Sequence, residues 1–168
     1  MGNLALLRLT ERLALNSSKI VEEVRFAIEE PDNYFFRFKE KFKERGMEKP
    51  SEELPWIVLL DALIEAELAY EIDWKESTLE ITYAIDDLSD RKKIDSLDWD
   101  WIENMSDAMP TGEKLQAIAD RMYERSLSLA YLDIDSDSYI LVVVPNIEIS
   151  ELIDLALKAG HTISSTFI

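Results

Sequence analysis

Tyr139-Ile140-Leu141-Val142-Val143-Val144 decides the fold class. Six apolar residues in a row, four of them β-branched, stop at Pro145, which cannot donate to a sheet ladder. A strand that is apolar at both odd and even positions has two buried faces, so it belongs inside a sheet covered on both sides. Upstream, Leu127 to Ile134 reads as a second strand. Between them, Asp135-Ser136-Asp137 is turn chemistry, and the three pieces make a hairpin. Downstream, Ser150 is placed to cap a helix through Leu152, Leu155 and Ala156, closed by Gly160. Residues 162–167 then alternate polar and apolar as a last strand. Strand, helix, strand in that order implies a short right-handed crossover. The expectation is a three-stranded mixed sheet near the C-terminus, with Tyr139–Val144 as its middle strand.

The chain ahead of this sheet has a helical period. Leu6, Leu9 and Leu13 share one face. Asn16-Ser17-Ser18 offers caps for a second helix, striped by Ile20, Val24, Ala27 and Ile28 and ended by Pro31. Asp32 is placed to cap a third, with Phe35, Phe38 and Phe42 on one face and Gly46 as its stop. Ser51 precedes a fourth, with Pro55 in its first turn and apolar residues nearly all round from Trp56 to Leu68, as a central core helix requires. Residues 78–88 carry two patterns at once. Leu79, Ile81, Tyr83 and Ile85 alternate like a strand, and Ile81, Ala84, Ile85 and Leu88 form a helical stripe. Flanking cap residues and the lack of turn signals favour the helix. A charged connection from Asp90 to Pro110 holds one short helix around Trp101, and Thr111 caps a helix carrying Leu115, Ile118, Ala119 and Met122. The whole reads as an α+β fold, rich in helix: a single domain over 1–168, helical to about 127 and β-β-α-β from about 128. Ile72-Asp73-Trp74-Lys75 and Leu97-Asp98-Trp99-Asp100 echo each other, but two short copies make no repeat architecture.

Composition removes whole classes of function. The chain has 168 residues, 47% of them apolar, no cysteine and a single histidine, His161. That leaves no disulfide framework, thiol nucleophile, thiolate metal site or multi-histidine site. With four glycines there is no glycine-rich phosphate loop. The net charge is −17, and it is uneven: residues 1–50 sum to +1 and residues 51–168 to −18. Such a field repels phosphate backbones and anionic lipid and attracts basic partners, so nucleic acid and membrane are not expected. The first residues lack a basic n-region and a cleavage site, and Leu6 stands where a myristoylation start needs Ser or Thr. The longest apolar run, Trp56-Ile57-Val58-Leu59-Leu60, is far short of a membrane span. A soluble, cytoplasmic protein is expected.

Each candidate site has a plainer reading beside it. Asp133, Asp135 and Asp137 alternate like the opening of a calcium loop, but Ser138 and Val144 stand where the loop needs Gly and Glu. An acidic turn, with Asp and Ser bonding nearby amides and Tyr139 beginning the strand, explains them better. Asp61 lies inside the apolar helix four residues before Glu65, a pair that could run acid–base chemistry or simply face a polar seam. His161 follows Gly160 at a helix C-terminus, with no serine elbow beside it. Tyr34 to Lys43 interleaves aromatics with bases, but at helical spacing, so most of the aromatics belong to the core. The last candidate is an interaction patch of Asp73, Trp74, Asp98, Trp99, Asp100 and Trp101. Aromatics ringed by carboxylates suit a surface aimed at Lys or Arg; alternatively the tryptophans are buried and the acids act as caps.

Asp73-Trp74-Lys75, Leu97-Asp98-Trp99, Asp133 with Asp135-Ser136-Asp137-Ser138-Tyr139, Val144-Pro145 and Gly160 occur in that order. The pattern, over roughly residues 65–160, resembles an uncharacterised bacterial family, a domain of unknown function. The resemblance implies a small, acidic, cytoplasmic protein with no established catalytic residues. It also implies a loose likeness to the immunity proteins that accompany bacterial toxins. No catalytic residue, cofactor or metal is expected. The functional expectation is a non-catalytic interaction module for a basic protein partner, with an immunity-type inhibitor as its most concrete form. The competing expectation is a small hydrolase using a carboxylate pair. Oligomeric state stays open.

Overall fold

The structure is a computed structural model that describes residues 2–95, 97–102 and 108–168. Its elements run α1 (Gly2–Leu13), α2 (Ser18–Glu29), α3 (Pro31–Arg37), α4 (Lys39–Glu44), α5 (Leu54–Glu65), β1 (Tyr70–Asp73), α6 (Thr78–Arg91), α7 (Thr111–Tyr123), β2 (Leu127–Leu132), β3 (Ser138–Pro145), α8 (Asn146–Lys158) and β4 (Ile163–Ser164). This is a helix-rich α+β fold around a small sheet.

Among the described residues the sheet has four strands in the order β1-β3-β2-β4, and every neighbouring pair is antiparallel. Two expectations are corrected here: the sheet is not three-stranded, and it contains no parallel pair. The added strand is β1, whose Tyr70 to Asp73 pair with Leu141 to Ser138. Only Ile72 in it is buried, so its four residues show too little alternation to stand out. The mixed sheet was wrong because β4 does not pair with β3: it crosses over through α8 to the far side of β2.

β3 does lie inside the sheet, between β1 and β2. Its side chains divide by parity. Ile140, Val142 and Val144 enter a core built with α1, α2, α5 and α8. Leu141 and Val143 enter a second core with α6 and α7. Each fully buried aliphatic side chain contributes about 1.5–3 kcal/mol relative to exposure, so the two-faced strand ties both layers together.

Several boundaries differ from the sequence expectation. The third helix is broken at Phe38 (φ −113°, ψ 29°) into α3 and α4, which lets Phe35 and Phe42 stack with centroids 5.3 Å apart. Asp32 is inside the first turn of α3, and the N-cap is Glu30 without a side-chain bond. Pro110, not Thr111, is the N-cap of α7. α8 starts at Asn146, directly after Pro145, so Ser150 is interior and caps nothing. The last strand is two residues long. The short helix expected around Trp101 is a turn at 100–102, and the remainder of that stretch, 103–107, lies outside the described residues. Among the described residues no helix is long and apolar enough to cross a membrane.

Candidate functional site

α6 organises the candidate surface. Ser77, in extended conformation (φ −72°, ψ 155°), accepts a hydrogen bond on its Oγ from the Glu80 N–H at 3.2 Å and starts the helix. Ile81, Ala84, Ile85 and Leu88 are buried in the second core. The period of 3.6 then puts Leu79, Tyr83, Asp86, Asp87 and Asp90 together on the outer side. Leu79 is 80% exposed and Tyr83 60%. Tyr70 of β1 meets Tyr83 edge-on, with centroids 6.5 Å apart, and donates its hydroxyl proton to Glu80 Oε1 at 2.6 Å. That hydrogen bond, with burial second, pushes the Tyr70 phenol up to about 12.

One half of the sequence-derived patch, Asp73 and Trp74, precedes the N-cap of this helix in the chain, and the other half is bonded to it. Asp73 ends β1, and its Oδ1 accepts from the Lys75 N–H at 3.2 Å. Trp74 is 51% exposed, with the Lys75 ammonium 4.6 Å from its ring centre. Trp99 donates its indole N–H to Asp86 Oδ2 at 2.9 Å, which docks the other half on the outer side of α6. Asp98 accepts from the Asp100 N–H at 3.0 Å through Oδ1, and from the Trp101 indole at 2.7 Å through its carbonyl. The Arg121 guanidinium of α7 lies 4.6 Å from the Trp101 ring. Asp73, Asp98 and Asp100 are exposed, while Trp99 and Trp101 are half-buried. Ser77 to Asp86 spans about 14 Å along the axis, so the two halves border one strip.

The acidic turn reaches Trp74 through Asp137, while Asp133 and Asp135 line cavities on the α5 side of the sheet. Asp73 pairs with Ser138, and the Trp74 N–H donates to the Asp137 carbonyl at 3.1 Å. Asp135 has φ 57°, and its N–H donates to Asp133 Oδ1 at 2.8 Å. Tyr139 packs against Tyr131 and Phe167 at centroid distances of 5.3 and 5.8 Å, and burial pushes its phenol up. Among the described residues, no three Asp, Glu or His side chains converge as a metal-binding group.

The remaining sequence candidates lie on the other side of the sheet. A cavity of about 750 Å³ holds Asp61, Glu65 and Glu71. Arg45 donates through Nε to Asp61 Oδ1 and through Nη2 to Glu71 Oε1, each at 3.1 Å, and the Lys41 ammonium is 2.6 Å from Glu65 Oε1. Asp61 and Glu65 therefore each have their own cation. In the aromatic stretch, Tyr34, Phe35 and Phe42 are core, and Phe36 is exposed. His161 stacks on the fully buried Trp56, with centroids 4.4 Å apart and planes within 4°. Leu79 and Tyr83 escaped the sequence reading as site residues. The signal was present: on a helix both are apolar and both lie off the buried stripe.

A family model described as a domain of unknown function, DUF6630, matches residues 5–167. No curated protein matches the chain, and no solved structure does.

Proposed function

We propose that this chain, which belongs to the DUF6630 family, is a non-catalytic interaction module whose acidic α6 strip binds a basic protein partner. The supporting observation is the outer side of α6. Two large apolar side chains, Leu79 and Tyr83, stand in water there beside Asp86, Asp87 and Asp90. Residues 70–90 hold seven acids and one base, so the local field is strongly negative. Carboxylates steer a positive surface toward the strip, and desolvated aromatic and aliphatic anchors then hold it. Asp73 and Trp74 precede this helix in the chain, and Asp98 and Asp100 flank the Trp99 that is bonded to Asp86, extending the same acidic surface. In its most specific form, the partner is a toxin whose positive face is its active face, and this chain is its immunity-type inhibitor. The hydrolase reading draws less support, because Asp61 and Glu65 are each held in an ion pair.

Affinity capture from the native cell tests the reading with two variants: Leu79→Ser with Tyr83→Ser, and Asp87→Lys with Asp90→Lys. All four side chains point away from the core, so circular dichroism should stay unchanged. The expected result is a captured protein with a basic surface, released by high salt. The first variant should weaken it by about 2 kcal/mol or more, and the second chiefly by slowing association. Capture that survives both variants and high salt would sink the proposal.

A further inference from the structure

β1 covers β3 only from Ser138 to Leu141, so among the described residues the outer edge of β3 beyond Leu141 has no strand neighbour. α6 ends beside that edge, and the Lys92 ammonium donates to the Val143 carbonyl. Residues 91–94, the end of α1 and the start of α8 enclose a cavity of about 450 Å³ there. Its wall is aliphatic: Leu15, Ile94, Leu127, Val144, Pro145 and Leu152. Its charged lining is Arg12, Arg91, Lys92 and Lys93 against a single carboxylate, Glu148. This reverses the sign of a chain that carries 35 acids and 18 bases.

Two of these cations are already neutralised. Arg12 pairs with Glu148 and Glu151, and Arg91 with Glu67. Lys93, exposed and in left-handed conformation (φ 57°), makes no ion pair among the described residues. The Lys92 ammonium has three donors, and the Val143 carbonyl meets one of them. Burial pulls the Lys92 amine below its ordinary range, because a cation beside an aliphatic wall lacks the solvation it has in water. Glu148 in the same cavity opposes this shift only in part, and a second anion would offset more of the penalty.

We propose that this cavity binds a medium-chain aliphatic monocarboxylate, its chain against Leu127, Val144 and Leu152 and its headgroup between Lys92 and Lys93. The volume lies in the range of small-molecule sites, and the lining is of their kind, mostly apolar with a few placed polar groups. Lys92 and Lys93, two cations without an ion pair among the described residues, match an anionic headgroup. An aliphatic wall without an aromatic ring matches a methylene chain and not a base or a sugar.

Isothermal titration of the full chain with decanoate, below its micelle concentration, tests this. The expected result is one site with a Kd on the order of 10–100 μM, the range that usual ligand efficiencies allow. Decanol lacks the charge and acetate lacks the chain, so each should bind at least about tenfold more weakly. Lys93→Glu changes an exposed side chain, and Lys92→Met keeps an unbranched side chain one atom shorter while removing the charge. Each should weaken decanoate by about tenfold, and Lys93→Glu keeps the test valid should Lys92→Met fail to fold. The proposal is overturned by no decanoate binding up to about 1 mM. Decanol binding as tightly as decanoate, or wild-type affinity in Lys93→Glu, overturns it too.

Discussion

Trp56 and His161 show how far a single residue can be read before its neighbours are known. Both were visible as unusual residue types, but their pairing across more than a hundred residues was not. The Trp56 indole N–H donates to the Asp133 carbonyl at 2.9 Å, and the imidazole lies flat on the indole. Burial holds the His161 imidazolium below its ordinary 6.5, and Glu53, with Oε2 at 3.7 Å from Nδ1, opposes the shift only in part. The folded chain therefore takes up this proton at lower pH than the unfolded chain does. His161 thus contributes stability above about pH 6.5, and that contribution is lost as pH falls through 6.5 toward the folded value. Phenylalanine keeps the stack and cannot titrate. The melting temperature of the wild type minus that of His161→Phe should become more negative between pH 7.5 and 5.5. The other carboxylates are common to both proteins and cancel in the difference. A difference that does not change with pH would contradict the assignment. The same limit applied to the other tryptophans: composition counts four, but only packing makes Trp74 half-exposed while Trp56 is sealed.

At the scale of elements, most helices were legible because their buried faces repeat at 3.6 residues and their caps are local chemistry. Ser17 accepts from the Ile20 N–H, as its place before the stripe implied, and Ser77 accepts from the Glu80 N–H at the start of α6. The double pattern at 78–88 resolved as a helix because that choice buries Ile81, Ala84, Ile85 and Leu88 together, leaving Leu79 and Tyr83 outside. What failed were features set from a distance. β1 is held by β3, the break at Phe38 serves the stack of Phe35 on Phe42, and α8 begins at Asn146 because the chain must turn off β3 at Pro145. The docking of α7 on the C-terminal segment was invisible for the same reason. A Cβ at Gly112, in the first turn of α7, would stand 2.7 Å from the Phe167 carbonyl oxygen, and the Phe167 N–H donates to Gln116 Oε1 at 2.9 Å. Gly112→Ala should lift this segment off α7, at a cost of about 1–3 kcal/mol in urea denaturation. Amide exchange at Phe167 should accelerate while β2 and β3 stay protected. Unchanged exchange at Phe167 would show that the close approach relaxes freely.

At the scale of the whole molecule, charge and core pull against each other. A net charge of −17 on one small chain repels itself, and the attractive ion pairs are mostly exposed, where each is worth about 0–1 kcal/mol. With 35 acids against 18 bases, screening should relieve more repulsion than it weakens attraction. Sodium chloride raised from about 20 mM to about 500 mM should therefore raise the melting temperature at pH 7 by roughly 2–5 °C. An unchanged or lower value would mean that the acids are already balanced locally. The same acids set the candidate site apart: the sequence alone showed that the charge lies beyond residue 50 and mixes there with tryptophan. It also determined that a two-faced strand at 139–144 sits inside a sheet between helical layers, because side-chain periodicity and caps are written within a few residues of one another. Only the tertiary structure decided that the sheet has a fourth strand, that Trp99 is bonded to Asp86 on the outer side of α6, and that Arg12 and the run Arg91–Lys93 line one aliphatic cavity. Those facts are pairings between distant segments, and their free energy comes from burial shared across the fold, which local pattern does not record.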